Sequence, residues 1–229
     1  MPLNDHNLTR RDEPESDTTS GNLDNDLDAA VTALTQGEVI GLPTETLFGL
    51  AADPDSPLAV ERLIRMKARP MDKGFILLVK NRAQLDALIL PPSPVAEALM
   101  DRFWPGPLTL VLPARPEISP LLTGHTGEIA VRISPAPLIK ALLNLWHGPL
   151  ISTSANRAGE PTPCHAEEIR RIWSDEKLLV LNGITHPNAL PSTLIKTDGK
   201  QVLLLRAGAI PVDILRTITP VLHPSGMPA

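Results

Sequence analysis

The chain has 229 residues and a mass of 24.7 kDa, which suits one large domain or two small ones with a buried hydrophobic core. Hydrophobic residues make up 42% of the composition and charged residues 21%, so a wholly disordered chain is excluded. The net charge of -5 arises in residues 1–26, where seven acidic residues face two basic ones, while the rest of the chain carries 19 of each. The body of the protein is therefore formally neutral, and the acidic total does not argue against an anionic ligand there.

Cysteine content and hydropathy indicate the compartment. Cys164 is the only cysteine in the sequence, which excludes an intramolecular disulfide and favours a reducing environment. No apolar run approaches the ~20 residues that span a bilayer, and the first residues lack the basic and apolar regions of a secretory signal. We therefore expect a cytoplasmic protein that has no contact with a membrane.

The hydrophobic pattern predicts one folded domain between two short extensions. Residues 1–22 are polar, acidic and aperiodic and are predicted to form a disordered leader, residues 23–220 the catalytic domain, and residues 221–229 a tail. Apolar residues recur with helical spacing from Leu23, and Gly37 stands where a C-terminal cap belongs. The elements predicted next, in chain order, are a strand at 38–42, a helix that starts at Ser56 and Pro57 and is stopped by Pro70, a strand at 75–79, helices near 82–89 and 94–103, strands at 108–112 and 129–133, a helix near 136–146, a strand at 149–152, a helix near 164–173, strands at 178–181, 193–196 and 201–206, and a helix near 211–218. Because strands and helices alternate and some strands are adjacent in sequence, we predict a single α/β domain with a mixed sheet.

Several common catalytic motifs are absent from the sequence. It contains no G-x-x-x-x-G-K-[ST] phosphate loop, no G-x-G-x-x-G after a strand and no G-x-S-x-G. The histidines lack the i,i+4 spacing of a helical metal pair, and the single cysteine has no C-x-x-C partner. These absences argue against a familiar hydrolase, zinc enzyme or dehydrogenase.

Four polar segments interrupt the apolar elements, each at the end of a strand or helix, where loops commonly carry sites. The first, 43–49, places two threonines around Glu45 directly after a strand, although a capped turn has the same composition. The second, 65–73, contains Lys67 and Arg69 at a helix end that a proline terminates. Their charges suit a triphosphate, and a solvated basic helix face is the alternative.

The remaining two segments are rich in hydroxyl groups or contain arginine. Residues 152–156 follow a strand, and their hydroxyl and amide groups suit phosphates or a small amino acid, or a simple Asx or Ser/Thr turn. The fourth segment pairs 191–193 with 206–208, in which Arg206 ends a strand. Arg132 alternates with apolar residues on a strand that otherwise looks buried, so its charge requires a partner.

Taken together and in this order, these segments resemble the YrdC/Sua5/TsaC family of threonylcarbamoyl-AMP synthases. The matching strings are PTETLFGL (43–50), KARP (67–70), WPGPLTLVLP (104–113), AVRIS (130–134), STSANRAGEPTP (152–163), PST (191–193) and RAG (206–208). Several degenerate strings in the correct order and spacing are far more specific than any one of them. With no long segment after the last string, the chain resembles the short, single-domain bacterial form of the family.

The resemblance implies a fold, a reaction and a set of partners. The expected YrdC-like domain is a twisted sheet of parallel and antiparallel strands, flanked by helices around a positively charged cleft. In the expected reaction, L-threonine and bicarbonate (or CO2) give N-carboxythreonine, whose carboxylate attacks the α-phosphate of ATP and releases pyrophosphate. Mg2+ would enter with ATP, without a metal site on the protein.

The resemblance also implies partners beyond these small-molecule substrates. One is a downstream threonylcarbamoyl-transfer complex of the TsaD/TsaB/TsaE type, which forms t6A at position 37 of tRNAs reading ANN codons. The other is tRNA itself, which would bind weakly.

The resemblance also assigns roles to individual residues. The K-x-R and S-x-N signatures of the family fall on four residues with a catalytic, ATP-binding role, namely Lys67, Arg69, Ser154 and Asn156. Further nucleotide contacts fall on Lys73, Thr162 and Arg206. The threonine side of the cleft is matched by Thr46, Arg132, Ser152 and Ser192, with Arg132 as the partner of the α-carboxylate. Phe48 replaces a common tyrosine, and Leu78 lies in the region where Sua5-type members carry a histidine.

Two other classes of function use the same features. The first is an RNA-binding or ribosome-maturation module, but the body is formally neutral and three Phe and three Trp leave little for base stacking. The second is the carbamoyl-adenylate chemistry of hydrogenase-maturation proteins, which carry acylphosphatase and zinc-finger domains for which this chain has no room. The threonylcarbamoyl-AMP synthase is therefore the preferred interpretation.

Overall fold

The computed structural model describes residues 18–68 and 73–222, so the predicted site residue Arg69 lies outside the described residues. The helices are α1 (Thr18–Thr35), α2 (Pro57–Lys67), α3 (Arg82–Asp86), α4 (Pro94–Phe103), α5 (Pro120–Thr123), α6 (Pro137–Trp146), α7 (Ala166–Ile172) and α8 (Val212–Arg216). The strands are β1 (Ile40–Pro43), β2 (Phe48–Ala52), β3 (Ile76–Leu78), β4 (Leu108–Pro113), β5 (Glu128–Arg132), β6 (Leu150–Ser154), β7 (Leu179–Val180), β8 (Thr193–Thr197), β9 (Val202–Arg206) and β10 (Val221–Leu222). No helix in this part of the chain is long and apolar enough to cross a bilayer.

The strands of the described residues form one mixed sheet in the order β10-β9-β8-β4-β5-β3-β6-β2-β1-β7. Neighbours pair in parallel in β1–β7, β3–β5, β4–β8 and β9–β10, and antiparallel in β1–β2, β2–β6, β3–β6, β4–β5 and β8–β9. The predicted single α/β domain with a mixed sheet is thereby confirmed.

Two hydrophobic clusters lie on opposite faces of the sheet, because successive side chains of a strand point to opposite sides. On β3, Leu77 belongs to the larger cluster and Leu78 to the smaller one. On β6, Leu150 belongs to the smaller cluster and Ile151 to the larger one. The smaller cluster also contains residues of α1 and α6, which pack against each other and cover one part of this face of the sheet. The rest of that face is available for a site.

Local signals in the sequence set the ends of the first two helices. After α1, Gly37 adopts a left-handed φ of +71°, and the Glu38 amide donates to the carbonyl of Ala33 at 2.9 Å. The α2 helix begins after Ser56, whose Oγ accepts from the Ala59 amide at 3.3 Å. It ends at Lys67, since the next residue is left-handed. Lys67 is therefore the last residue of α2, and the end of this helix fixes the position of its side chain.

Three short elements are absent from the sequence prediction, and two predicted boundaries differ from the structure. The missed elements are β2, α5 and β10. The β2 residues are buried on both faces and mix Gly and Ala with Leu and Phe, so they lack the alternation that marks a half-exposed strand. The first helix begins at Thr18, inside the predicted leader. The prediction relied on apolar residues at helical spacing, which begin only at Leu23. Val221, assigned to the tail, pairs with Val202 and is buried.

Candidate functional site

A cleft of about 340 Å³ lies on the sheet face that carries the smaller cluster. Its floor includes Ile76, Ala130 and Ser152, which are cross-strand neighbours on β3, β5 and β6. Gly49 on β2 also lines the cleft, and a Cβ atom there would lie 3.2 Å from the Thr153 carbonyl oxygen. Small side chains therefore bring a ligand close to the sheet backbone. Among the described lining residues are two arginines and no acidic side chain.

One wall of the cleft contains a buried arginine. Arg132, at the end of β5, is only 4% exposed, and its Nη1 donates to Thr46 Oγ1 at 3.1 Å. Thr46 Oγ1 lies 3.0 Å from Thr44 Oγ1, so the two hydroxyls are linked. The Arg132 Nε lies 3.5 Å from Glu45 Oε1, and neither of these buried atoms has a hydrogen-bond partner among the described residues. Burial lowers the pKa of Arg132, and the Glu45 carboxylate opposes that shift. A carboxylate in the cleft would stabilise this cation further.

A second wall is formed where β8 begins and β9 ends. Ser192 is buried, and its Oγ lies 2.7 Å from Thr109 Oγ1. Arg206 donates through Nη2 to Ser192 Oγ at 2.9 Å, and through Nε and Nη2 to the Ser192 carbonyl at 3.2 and 2.9 Å. These contacts hold the Arg206 guanidinium at the rim of the cleft.

Gly208, just after β9, packs closely against the backbone just before β8. A Cβ atom at Gly208 would lie 2.3 Å from the Pro191 carbonyl oxygen and 2.6 Å from the Ser192 carbonyl carbon. Replacing Gly208 with alanine is therefore expected to lower the free energy of unfolding by about 3 kcal/mol, the upper end of typical overpacking effects. Urea denaturation measures the change, with Ala207→Ser at the exposed neighbour as the control. Equal stability of both variants would show that the two segments do not depend on this close packing.

The carboxyl end of α2 meets the loop that follows β6. Lys67 is buried, and its Nζ donates to the carbonyl oxygens of Ser154, at 2.8 Å, and of Asn156. The Asn156 Oδ1 accepts from the same Nζ at 3.3 Å. Three of the residues predicted to act together are thus in direct contact, and Ser154 lines the cleft.

The same loop is fixed by contacts on its other side. Asn156 Nδ2 donates to the Glu160 carbonyl at 2.5 Å, and the Trp173 indole donates to the Ala155 carbonyl at 2.7 Å. The Ala155 amide in turn donates to the Phe48 carbonyl at 2.9 Å. The positions of the loop amide and hydroxyl groups are therefore set by the core rather than by a ligand.

The structure gathers most of the predicted site residues around the cleft. Those that line it are Thr46, Arg132, Ser152, Ser154, Ser192 and Arg206. Lys67 and Asn156 adjoin it through Ser154, and Lys73 is exposed next to Gly74, a lining residue. Thr162 is half-buried on the loop beyond Asn156 and does not line the cleft. Phe48 lines the cleft, whereas Leu78 is buried in the smaller cluster.

Four residues that support the site were given no individual role from the sequence, although two of them lie in its first polar segment. These are Thr44, Glu45, Thr109 and Ser134. All four lie inside the matching strings, so the strings themselves contained the signal. Thr109 stands between two buried leucines on β4 and is itself fully buried, which indicates a polar partner.

Within residues 18–68 and 73–222, no group of three His, Cys, Asp or Glu side chains could hold a metal ion. The described cleft lining supplies hydroxyl groups but no carboxylate, whereas Mg2+ prefers carboxylate, phosphate and water oxygens. These residues therefore do not form a resident magnesium site.

Comparisons with known proteins agree with this geometry. The family model of the Sua5, YciO and YrdC proteins, described as telomere recombination, matches residues 32–208. A protein of Photobacterium profundum named threonylcarbamoyl-AMP synthase is 41% identical over 189 residues, covering 81% of this chain and all of that relative. One of Stenotrophomonas maltophilia with the same name is 44% identical over 163 residues, 69% of this chain and 84% of the relative.

Solved structures give the same result. P. abyssi Sua5 complexed with L-threonine superimposes with a TM-score of 0.78 at 30% identity, and the match covers 86% of this chain but 58% of that longer one. The E. coli YciO structure superimposes with a TM-score of 0.73 at 26% identity, covering 81% of this chain and 90% of that one. The chain therefore belongs to the Sua5/YciO/YrdC family.

Proposed function

We propose that the protein is an L-threonylcarbamoyladenylate synthase, a nucleotidyltransferase that forms threonylcarbamoyl-AMP and pyrophosphate from L-threonine, bicarbonate or CO2, and ATP. The observation that carries the proposal is the buried guanidinium of Arg132, which lines a cleft whose described lining supplies hydroxyl groups and no acidic side chain. The names of the relatives and the L-threonine bound to P. abyssi Sua5 support the same reaction. The product would serve formation of t6A at position 37 of tRNAs that read ANN codons, in the cytoplasm.

Threonine would bind at the Arg132 wall. The Arg132 guanidinium would take the α-carboxylate, since charge-assisted hydrogen bonds are the strongest that a protein offers to such a group. The hydroxyls of Thr46, Ser152 and Ser192 lie on the same cleft and would bind the remaining polar groups of the amino acid. Because these side chains are buried, they keep their orientation before the substrate arrives.

ATP would bind at the other part of the cleft, as its magnesium complex. Lys67, Arg69, Ser154 and Asn156 would hold the phosphates, with Lys73, Thr162 and Arg206 as further nucleotide contacts. The contacts of Lys67 with the Ser154 and Asn156 carbonyls support this grouping. The basic residues among them would make this part of the cleft positive. The metal would be held by phosphate oxygens and water.

The reaction asks the protein chiefly to position two anionic reactants. The threonine nitrogen would form a bond to the carbon of CO2 and release a proton, which gives N-carboxythreonine. A carboxylate oxygen of that intermediate would then attack the α-phosphorus of ATP, and the bond from this phosphorus to the bridging oxygen would break, releasing pyrophosphate. Fixed hydrogen-bond donors and positive charges favour such a transfer without a covalent nucleophile.

The proposed partners follow from the product. Threonylcarbamoyl-AMP is a reactive mixed anhydride, so it must pass to a threonylcarbamoyl-transfer complex of the TsaD/TsaB/TsaE type. Weak binding of the acceptor tRNA would bring the donor and acceptor together.

Pyrophosphate release tests the proposed reaction directly. We expect release from ATP and Mg2+ only when L-threonine and bicarbonate are both present, and much less when serine replaces threonine. Pyrophosphate is measured by a coupled enzymatic assay, and folding is checked on the same sample by circular dichroism. A folded protein that releases no pyrophosphate, and whose affinity for RNA falls steeply with salt, would instead favour the RNA-binding alternative.

A further inference from the structure

Glu45 lies directly behind the arginine of the proposed threonine site. Its neighbours Thr44 and Thr46 line the cleft, whereas Glu45 does not. Its side chain is 14% exposed, and its Oε1 lies 3.5 Å from the Arg132 Nε. A bound substrate would therefore meet the arginine and not the carboxylate.

The Glu45 carboxylate is held in place by a second residue. Ser134 Oγ donates to Glu45 Oε2 in a short hydrogen bond. The same Oγ accepts from the Ala136 amide at 3.2 Å, and Ala136 is the residue that precedes the first turn of α6. Ser134 is 2% exposed, so this arrangement is shielded from water. The negative charge of Glu45 thus has a fixed position near a helix N-terminus, where it is favoured.

The charges of Glu45 and Arg132 sum to zero at this end of the cleft. Both proposed substrates are anionic at one end, and a lone buried arginine would bind a phosphate as readily as a carboxylate, because its planar donors match either group. A zwitterionic amino acid carries an ammonium group beside its carboxylate, so the field of Glu45 opposes a phosphate dianion more than it opposes the amino acid.

We propose that Glu45 is a specificity-determining residue that makes the Arg132 end of the cleft selective for the zwitterionic amino acid over phosphate groups. This inference rests on the proposed function, since it takes Arg132 as the carboxylate partner. Glu45 acts through Arg132: it fixes the guanidinium and cancels its net charge, and it does not touch the substrate. The two substrates are thereby kept to their own parts of one cleft.

Glu45→Gln is the main test, because glutamine keeps the size of the side chain and removes its charge. Threonine is titrated calorimetrically into the full chain without nucleotide, with and without inorganic phosphate as the competing anion. In the wild-type protein, phosphate is expected to leave the Kd for threonine unchanged. In Glu45→Gln, we expect threonine alone to bind about 10-fold more weakly, because the Arg132 guanidinium is no longer fixed by a charge, and phosphate to weaken it several-fold further. Weaker threonine binding together with new competition by phosphate indicates a role in selectivity, whereas a purely structural role would weaken threonine binding without creating that competition.

Two further variants complete the experiment. Glu45→Asp keeps the charge and is expected to exclude phosphate even though threonine binds less tightly. If Glu45→Gln fails to fold, Glu45→Met removes the charge in its place. Glu117→Gln removes a carboxylate from an exposed loop and should behave as wild type. Phosphate insensitivity in Glu45→Gln, or phosphate competition in both Glu45→Asp and the wild type, would overturn the inference. Failure of the wild type to bind threonine at all would overturn the proposed function instead.

Discussion

Replacing Lys67 with methionine is expected to lower the kcat of pyrophosphate release by about 100- to 1,000-fold, the typical effect of removing one donor to a developing anion. Methionine has a similar length but no donor and no charge. Its introduction also leaves the carbonyls of Ser154 and Asn156 without the ammonium that now satisfies them. Each lost partner of a buried acceptor costs about 1–3 kcal/mol, so we expect the free energy of unfolding to fall as well.

The two effects are separated by measuring turnover per folded molecule. Single-turnover rates are determined below the unfolding transition of the variant, with the folded fraction taken from urea denaturation. Arg65→Met is the matched control, because Arg65 is exposed on α2 and lies two positions earlier, on the opposite side of the helix. A Lys67→Met protein that is less stable but turns over normally when folded would remove Lys67 from the reaction and leave it a structural role.

Replacing Arg132 with leucine is expected to lower kcat/KM for threonine by about 10- to 150-fold, which corresponds to the 1.5–3 kcal/mol of a hydrogen bond to a charged group. The KM for ATP should change little, because ATP is proposed to bind elsewhere in the cleft. Steady-state kinetics with each substrate varied in turn measures both values. The reverse result, a raised KM for ATP with an unchanged KM for threonine, would contradict the assignment of the two ends of the cleft.

The same substitution should also destabilise the fold. It leaves the Glu45 carboxylate buried without its cation, and breaking a buried pair in this way costs about 3–5 kcal/mol. The double variant Arg132→Leu with Glu45→Gln removes both charges and should recover much of that stability. It should not recover threonine binding. Thermal denaturation together with calorimetric titration distinguishes the loss of the pair from the loss of the ligand contact.

Most of the fold could be predicted from the sequence because its helices and longer strands bury one recognisable side. The α2 helix was predicted from its serine cap, its first-turn proline and its apolar spacing, and the structure confirms each of these. Strand β2 was missed because FGLAA is buried on both faces and directly follows a polar segment that reads as a loop. Strand β10 has two residues and depends wholly on pairing with β9, which no local pattern records.

The site residues themselves were easier to predict from the sequence than the contacts that hold them. Ser152 and Ser154 stand at the end of an apolar strand, and Arg132 alternates with apolar residues, so chemistry at these positions was visible in the sequence. The resemblance grouped Lys67 with Ser154 and Asn156, but the contacts with their backbone carbonyls were not predictable, because any residue could provide a carbonyl. Glu45 lies in a segment that the sequence left open between a site and a capped turn, since only the folded sheet brings its carboxylate to Arg132, which comes from a distant strand.

The order of the strands in the sheet affects how the protein folds into a form that binds substrate. Leu108 on β4 pairs with Thr193 on β8, and Ile40 on β1 pairs with Leu179 on β7, so neighbouring strands come from widely separated parts of the chain. Such non-local pairings form slowly, because long loops must close before any contact compensates for the lost chain entropy. Thr46 and Ser192 can share one cleft only after these pairings exist. During biosynthesis the nascent chain must therefore emerge beyond Ser192 before it can bind a substrate, and recovery of ligand binding after dilution from denaturant should coincide with the last kinetic phase of folding.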